Sequence, residues 1–212
     1  MDYSAILLAA GQSSRFGAPK LLHPLANGTP LGIQSAINLQ AVFKHITVVV
    51  NAEAGELALR YQALGIDVVI NPRAAEGLSS SIIAGIEHTP ASKGWIIALA
   101  DMPFIQSATL NALLNALQQG AILAAPLYQG QRGHPVGFTA GFKAELLQLT
   151  GDKGAGLLLQ RYANQLQLIA VNDKGVIGDI DTPKDLTDFN LSHRTQGLST
   201  LLLFTGSVNL RI

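Results

Sequence analysis

Small residues and two cations follow the first apolar run of the chain, in a segment that carries no acidic residue. Ala9, Ala10 and Gly11 leave room for a ligand to approach the backbone closely. Successive amides in such a loop form a concavity that binds anions, and Arg15 and Lys20 add positive charge. Together these groups could hold a polyphosphate and neutralise the charge that develops during phosphoryl transfer. The alternative is an ordinary loop with solvated Arg and Lys side chains.

The spacing of the glycines does not match two common phosphate-binding motifs. Gly11 and Gly17 are six residues apart and Lys20 follows three residues later, whereas the P-loop requires Gly-x4-Gly-Lys-Ser/Thr. No Gly-x-Gly-x-x-Gly follows the first apolar run, so the dinucleotide-binding fingerprint is absent as well. The segment therefore predicts a phosphate site of another kind.

Asp101 follows the apolar run 95–100, at the predicted end of a buried strand. In an open α/β sheet, ligands bind beyond the carboxyl ends of the strands. A carboxylate there is well placed for Mg²⁺, which prefers one or two carboxylates together with phosphate oxygens. The alternative is an aspartate that caps the next turn.

Asp179 and Asp181 form a second carboxylate pair, just before Thr182-Pro183. In an extended segment, alternation would place both carboxylates on one face. An Asp or Thr before a proline is also an excellent helix start. We expect one of the two aspartates to bind metal or substrate and the other to be structural.

A hydroxyl-rich segment follows the third apolar run. It begins at Asn71 and reaches Ser79, Ser80 and Ser81 at a predicted helix start. Free amides and hydroxyls there can bind a base edge, a ribose or a phosphate. N-capping accounts for one serine, and the hydroxyls of the other two are then free to bind a ligand.

His134 lies in a glycine-rich turn, residues 128–137, that interrupts the alternation of strands and helices. It could contact an anionic substrate or take part in proton transfer, although a lone loop histidine is more often only a surface residue. The other histidines show no metal-binding spacing, and no Gly-x-Ser-x-Gly elbow supports serine hydrolysis.

Continuous apolar runs alternate with helical patterns through most of the chain. Such runs are typical of strands buried on both faces, as in a parallel sheet covered by helices. Thr29-Pro30 and Thr182-Pro183 mark two helix starts. The pattern predicts a three-layer α/β fold with a mostly parallel central sheet and a hairpin region inserted near residues 128–137. The predicted strands are 4–9, 46–51, 66–70, 95–100, 121–126, 166–171 and 176–179.

Length and composition limit the class of protein. The 212 residues suggest one domain, which we place at 1–190, followed by a tail at 191–212 that could be a docked element, a swapped arm or a non-native extension. Fourteen Lys and Arg balance fourteen Asp and Glu, so the basic excess of nucleic-acid-binding proteins is missing. The absence of cysteine excludes disulfides, thiolate metal sites and a Cys nucleophile. With neither a signal-peptide pattern nor an apolar run of about 18 residues, we expect a cytoplasmic protein without a membrane partner.

Taken together, these stretches resemble the MobA-like nucleotidyltransferases, and most closely the branch that acts as molybdenum cofactor cytidylyltransferase. The resemblance runs in order from residue 4 to about residue 190 and implies the Rossmann-like nucleotidyltransferase fold; the tail has no counterpart. The matching stretches are Leu8-Ala-Ala-Gly-Gln-Ser-Ser-Arg-Phe-Gly-Ala-Pro-Lys20, Val50-Asn51, Asn71 with Gly77-Leu-Ser-Ser-Ser81, Leu99-Ala-Asp-Met-Pro103, Pro126-Leu-Tyr-x-Gly-x-Arg-Gly-His-Pro-Val136, Leu149-Thr-Gly-Asp-Lys-Gly-Ala155 and Asp179-Ile-Asp-Thr-Pro183.

The resemblance implies a transfer in which no protein nucleophile takes part. The terminal phosphate of a molybdopterin-type cofactor would attack the α-phosphorus of CTP in line, and pyrophosphate would leave while Mg²⁺ and the two cations counter the charge. A molybdoenzyme or its maturation factor would receive the product. The implied site consists of catalytic Arg15, Lys20 and Asp101; nucleotide-binding Leu8, Ala9, Ala10, Gly11, Lys20, Asn71, Gly77, Ser79 and Ser80; substrate-binding His134 and Asp181; and metal-binding Asp101 and Asp179, with the choice between the two later aspartates left open.

Ala9-Ala10 resembles the cytidylyltransferase loop, whereas the guanylyltransferase branch typically has two glycines nearby, which points to CTP over GTP. Three alternatives stay open: a GTP-using guanylyltransferase, a cytidylyltransferase for another phosphorylated small molecule, and a non-catalytic carrier of nucleotide or pterin. The set of Arg15, Lys20 and Asp101 argues against the carrier, because a carrier gains little from a metal poised at a phosphate.

Overall fold

The fold is seen in a computed structural model, which describes residues 2–11, 16–17, 19–89 and 92–187. In this part of the chain eight strands form one mixed sheet, accompanied by six α-helices and a further helical stretch at 183–187. The strands are β1 (Ser4–Ala9), β2 (Ile46–Asn51), β3 (Asp67–Asn71), β4 (Gly94–Leu99), β5 (Leu123–Tyr128), β6 (Gln131–Arg132), β7 (Val136–Thr139) and β8 (Leu166–Ala170). The helices are α1 (Leu31–Gln40), α2 (Gly55–Ala63), α3 (Leu78–His88), α4 (Ser107–Gln118), α5 (Lys143–Leu146) and α6 (Gly156–Arg161).

The central sheet is parallel over its first half. Its strand order is β3-β2-β1-β4-β7-β5-β6, and β8 also pairs with β5. β1 lies between β2 and β4 and runs parallel to both, and β3 extends this parallel set. β7 runs antiparallel to both β4 and β5, whereas β8 is parallel to β5. The predicted mostly parallel sheet is confirmed.

β1 separates two hydrophobic cores, one on each face of the sheet. All six of its residues are buried. Because successive side chains of a strand point to opposite faces, Ala5 and Leu7 belong to one core and Ile6 and Leu8 to the other. Burial on both faces explains why this strand is a continuous apolar run. The predicted three-layer architecture is confirmed.

The predicted strand at 176–179 is wrong, because Lys174–Ile177 form a 3₁₀ turn. The Asp173 side chain accepts a hydrogen bond from the Gly175 amide at 2.9 Å. The Asp173 carbonyl accepts another from the Val176 amide at 3.3 Å. These bonds curl an apolar segment away from the extended conformation that a sheet requires. The other six predicted strands are confirmed to within two residues at each end.

The predicted hairpin region is confirmed between β4 and β8. β5 and β6 pair antiparallel through the turn Gln129-Gly130, whose φ angles are 49° and 83°. Positive φ at both central positions is the feature of a type I′ turn, which suits a two-residue hairpin. β7 follows and fills the space between β5 and β4.

The register of the parallel strands brings two distant segments together. Leu8 of β1 is paired with Leu99 of β4, and the amide of Ala100 donates to the Leu8 carbonyl at 3.0 Å. The residues that follow β1, including Gly11, therefore emerge at the same edge of the sheet as Asp101, which follows β4.

Two predictions fall on residues that the structure does not describe, namely the role of Arg15 and the nature of the tail at 191–212. Both stay predictions. Within the described ranges, no helix combines the length and the apolar character needed to cross a bilayer.

Candidate active site

A cavity of about 420 Å³ opens at the carboxyl ends of the parallel strands. Of the described residues, it contains the small residues at the end of β1 and after it, one lysine and three aspartates. A larger cleft of about 720 Å³ lies beside α1 and the start of α4, and none of the described residues in its lining is charged. The smaller cavity is therefore the candidate site; it is lined by Leu8, Ala9, Ala10, Gly11, Lys20, Leu21, Ala74, Ala75, Gly77, Leu78, Ser81, Leu99, Asp101, Asp152 and Asp181.

The ammonium group of Lys20 joins two carboxylates in this cavity. Its Nζ atom lies 3.0 Å from Oδ2 of Asp101 and 3.1 Å from Oδ1 of Asp181. Lys20 is only 8% exposed. Burial alone would lower its pKa, but the charges and hydrogen bonds of Asp101 and Asp181 outweigh burial and raise the pKa above its ordinary value. The lysine is therefore cationic at neutral pH.

The backbone holds the two carboxylates in place. The amide of Ile180 donates to the Asp101 carbonyl at 2.9 Å, which ties the segment after β4 to the segment that carries Asp181. The Asp185 carboxylate accepts hydrogen bonds from the amides of Asp181 and Thr182 at 2.9 and 2.6 Å. Burial would raise the pKa of Asp185, but these bonds to the Thr182 and Asp181 backbone lower it. Asp185 therefore caps the helical stretch at 183–187 and fixes the direction of the chain at Asp181.

The two carboxylates fit a divalent cation that also takes ligands from a bound nucleotide. The Oδ1 atom of Asp101 is buried and finds no hydrogen-bond partner among the described residues. In the same part of the chain, no group of three or more His, Asp or Glu side chains is arranged to hold a metal ion. Mg²⁺ in phosphate-transfer sites commonly takes one or two carboxylates and completes its shell with phosphate oxygens and water. Asp101 and Asp181 match that requirement.

Three of the predicted nucleotide-binding residues lie behind the cavity wall. Asn71 donates to the hydroxyls of Ser80 and Ser81 at 2.9 and 3.1 Å. The Ser80 hydroxyl oxygen lies 2.8 Å from the carbonyl oxygens of both Arg73 and Gly77, which share its single donor hydrogen. In this arrangement Asn71 and Ser80 hold the turn before α3, and Ser81 faces the cavity.

The hydroxyl of Ser79 is buried and has no partner among the described residues. Its amide donates to the Gly151 carbonyl at 3.1 Å. Ser79 thus connects the start of α3 to the loop at 151–154. The binding roles of Asn71, Ser79 and Ser80 stay predictions.

Gly77 is the predicted residue whose backbone most needs to be glycine. Its φ is +106°, a region that L side chains rarely adopt, and a Cβ atom would meet the Gly151 carbonyl carbon at 2.7 Å and the Asp152 side chain. Gly77 lines the cavity together with Asp152. Asp152 belongs to the stretch 149–155 of the sequence analysis, but its position beside Gly77 depends on a contact between distant segments.

His134 lies beside the cavity and not in its lining. Its amide donates to the Val176 carbonyl at 2.8 Å, and its buried Nδ1 atom has no partner among the described residues. Burial lowers the pKa of His134, as does Arg132, while the charges of Asp101 and Asp179 act in the opposite direction. The net effect favours the neutral imidazole. Its substrate role stays a prediction.

The structure separates the two later aspartates. Asp181 lines the cavity and pairs with Lys20, whereas Asp179 is exposed and outside the lining. The metal role predicted for Asp179 stays a prediction. The carboxylate that shares the Lys20 ammonium with Asp101 belongs to Asp181.

Comparison with known proteins identifies a family and several relatives of the chain. The sequence model of the MobA-like NTP transferase domain matches residues 5–166. The chain is 27% identical over 192 residues to nicotine blue oxidoreductase from Paenarthrobacter nicotinovorans, with 86% of this chain and 94% of that protein covered. It is 29% identical over 184 residues to molybdenum cofactor cytidylyltransferase from Escherichia coli (strain K12), with 85% and 91% covered. Molybdenum cofactor guanylyltransferase from Cupriavidus pinatubonensis is 28% identical over 202 residues, with 87% and 94% covered.

Solved structures share the fold over most of the chain. A homologue of Mycobacterium tuberculosis Rv0371c from Mycobacterium sp. strain JC1 superimposes with a TM-score of 0.79 at 30% identity, covering 90% of this chain and 96% of that chain. Rv0371c itself, in a complex with manganese, gives a TM-score of 0.74 at 26% identity, with 89% and 97% covered. A protein similar in sequence and fold has therefore been crystallised with a divalent metal.

Proposed function

The chain belongs to the family of the MobA-like NTP transferase domain and is a nucleotidyltransferase, and on that premise we propose that it transfers the CMP group of CTP to a molybdopterin-type cofactor. The observation that carries this proposal is the contact of one buried ammonium, Lys20, with the carboxylates of Asp101 and Asp181 in the cavity. A lysine poised between two carboxylates at the end of a small-residue loop suits a triphosphate and its metal ion.

The two ends of the cavity differ in a way that suits a nucleotide. The β4 side carries Lys20, Asp101 and Asp181, and the β3 side carries Ala74, Ala75 and Leu78. Phosphates belong at the end that holds the ammonium group. The apolar side chains on the β3 side suit the flat face of a base. The loop at 9–11 lies between them, where only small side chains separate the ligand from the backbone.

In the proposed reaction, an oxygen of the acceptor's terminal phosphate forms a bond to the α-phosphorus of CTP. The bond from that phosphorus to the β-phosphate oxygen breaks, and pyrophosphate leaves with the electron pair. Lys20 keeps its proton and stabilises the charge on the phosphate oxygens, because its pKa is raised. Asp101 and Asp181 would hold Mg²⁺, whose charge supplies Lewis-acid stabilisation of the phosphates.

The names of relatives support the molybdenum cofactor as acceptor, but they differ in the nucleotide. A cytidylyltransferase and a guanylyltransferase for the molybdenum cofactor are 29% and 28% identical to this chain. Ala9 and Ala10, both buried and in the cavity lining, favour CTP by their resemblance to the cytidylyltransferase loop. The guanylyltransferase reading is the second candidate, and it differs only in the base.

Another relative, nicotine blue oxidoreductase, is named for a redox activity. At one end of this cavity a cation lies between two carboxylates, which suits a metal-bound triphosphate. We therefore favour nucleotidyl transfer to a phosphorylated pterin over redox chemistry.

Pyrophosphate release tests the proposal. The full chain is incubated with Mg²⁺ and either CTP, GTP or UTP, each with molybdopterin and with its molybdenum-loaded form. We expect release with CTP that depends on the pterin. Release with GTP alone would move the protein to guanylyl transfer, and no release with any pair from protein that binds Mg-CTP would contradict the pterin as acceptor.

A further inference from the structure

Asp152 is the third aspartate of the cavity, and it lies apart from the Lys20 cluster in the fold. It contacts Gly77, directly before α3, on the β3 side of the sheet. Asp101 follows β4, on the other side of β1. The carboxylate of Asp152 therefore belongs to the end of the cavity at which the proposed function places the base.

The fold holds Asp152 in this position from both sides. The Ser79 amide donates to the Gly151 carbonyl at 3.1 Å. Gly77 has no side chain, and a Cβ atom there would meet the Asp152 amide nitrogen at 2.9 Å and the Asp152 carboxylate. On the other side of the loop, Gly154 adopts a φ of +52° and approaches the Leu78 side chain, whose Cδ2 atom would lie 2.7 Å from an added Cβ. The loop is thus packed against the first residues of α3.

The chemistry of this carboxylate indicates what it would bind. Asp152 is exposed, and among the described residues none donates a hydrogen bond to its side chain or forms an ion pair with it. An ionised aspartate accepts hydrogen bonds and donates none. It repels phosphates and carbonyl edges and attracts a group with N–H donors. Its neighbours Ala74, Ala75 and Leu78 are apolar and suit the faces of a planar ring.

We propose that Asp152 is a specificity-determining residue that accepts a hydrogen bond from the exocyclic amino group of the base, which for the proposed substrate is the N4 amino group of cytosine. This inference rests on the proposed function, because it takes the cavity to be a nucleotide site. Uracil differs from cytosine at this edge by carrying a carbonyl oxygen in place of the amino group. A carboxylate therefore discriminates against UTP by repulsion as well as by the missing hydrogen bond.

The test compares the dissociation constants of CTP and UTP, measured by calorimetry with Mg²⁺ and without acceptor. For the wild-type chain we expect CTP to bind at least about tenfold more tightly, the effect of one charge-assisted hydrogen bond. In Asp152→Asn the amide can both donate and accept, so the ratio should fall to within about threefold of unity. Asp67→Asn, an exposed aspartate on β3 outside the cavity, is the matched control and should keep the wild-type ratio.

The outcomes separate the inference from the function on which it rests. If the wild type prefers CTP and Asp152→Asn keeps that preference, or weakens both nucleotides equally, the carboxylate does not read the base and the inference is overturned. A wild-type chain that binds CTP and UTP equally overturns it as well. A folded wild-type chain that binds neither nucleotide refutes the proposed function itself. Far-ultraviolet circular dichroism of each variant verifies that the fold is retained.

Discussion

The Nζ atom of Lys20 lies 3.0 Å from Oδ2 of Asp101, although 81 positions separate the two residues in the chain. The contact forms because β1 and β4 are parallel neighbours whose carboxyl ends meet at one edge of the sheet. Asp181 completes the cluster from a third segment, at 3.1 Å from the same nitrogen. A net charge of one negative unit remains on these three groups, which suits the binding of a metal-bound triphosphate more than that of a free anion.

Replacement of Asp101 by Asn should abolish most of the activity and leave the fold intact. The change keeps the shape of the side chain and removes the charge that would hold the metal, so we expect kcat to fall by about 10³-fold. Steady-state pyrophosphate release at saturating CTP measures this. Asp67→Asn is the control for the substitution itself. If Asp101→Asn keeps activity near the wild-type level at high Mg²⁺, Asp101 does not bind the metal.

Replacement of the two later aspartates should have unequal effects. Asp181→Asn removes a carboxylate that pairs with Lys20 inside the cavity, and we expect kcat to fall by about 10²-fold. Asp179 is exposed outside the cavity lining, so Asp179→Asn should change kcat by less than about threefold because solvent and salt screen its charge. The opposite order of the two variants would support Asp179 as the metal ligand.

Asp173 should be a major contributor to stability. It is 2% exposed, and its carboxylate accepts hydrogen bonds from the Gln106 amide, the Thr109 hydroxyl and the Gly175 amide at 2.9, 2.7 and 2.9 Å. Asp173→Ala leaves these donors without their partner, and we expect a loss of roughly 2–3 kcal/mol in the free energy of unfolding.

Urea denaturation of Asp173→Ala measures that loss, and Thr109→Val provides the comparison because it removes one donor and should lose about 1 kcal/mol. Equal stability of Asp173→Ala and the wild type would show that these hydrogen bonds contribute nothing net to folding.

His134 should make stability depend on pH below neutrality. Burial, with help from Arg132, lowers its pKa in the folded state below the ordinary 6.5. Below that ordinary value the unfolded chain binds the proton more readily than the folded chain, so the free energy of unfolding falls as the pH decreases from about 6.5 toward the folded-state pKa. Above pH 7 both states are neutral at this group and the effect vanishes.

The measurement is urea denaturation of the wild type and His134→Gln at several pH values between about 5 and 8. The variant should lose the part of the pH dependence that His134 causes. Parallel curves for the two proteins across this range would contradict a lowered pKa at His134.

The parallel strands could be predicted from the sequence because they are buried on both faces. β1 and β2 are continuous apolar runs, and their predicted bounds are those of the structure. The strand predicted from a similar run at 176–179 is wrong, because the Asp173 carboxylate binds the Gly175 amide and forms a turn. A local side-chain hydrogen bond of this kind competes with a sheet ladder, and hydrophobic pattern alone does not reveal it.

Part of the site could also be predicted, because several of its residues follow strands of the parallel sheet. Lys20 and Asp101 follow strands of the same parallel set, so the segments that carry them start from the same edge of the sheet. Asp181 reaches Lys20 from a segment whose amides bind the Asp185 carboxylate, a contact that the sequence alone does not reveal. The place of Asp152 depends on a glycine, Gly77, far away in the chain. Contacts of this kind arise from tertiary packing and leave no periodic signal in the sequence.

Transfer of a label from the α-phosphate of CTP tests the central claim most directly. The full chain is incubated with Mg²⁺, α-labelled CTP and molybdopterin, with and without molybdenum, and the products are separated by chromatography. We predict that the label moves into a pterin product in an amount equal to the pyrophosphate released, and that Asp101→Asn does not support this transfer. Label that stays in CTP, or appears only as CMP whether or not pterin is present, would contradict nucleotidyl transfer to this acceptor.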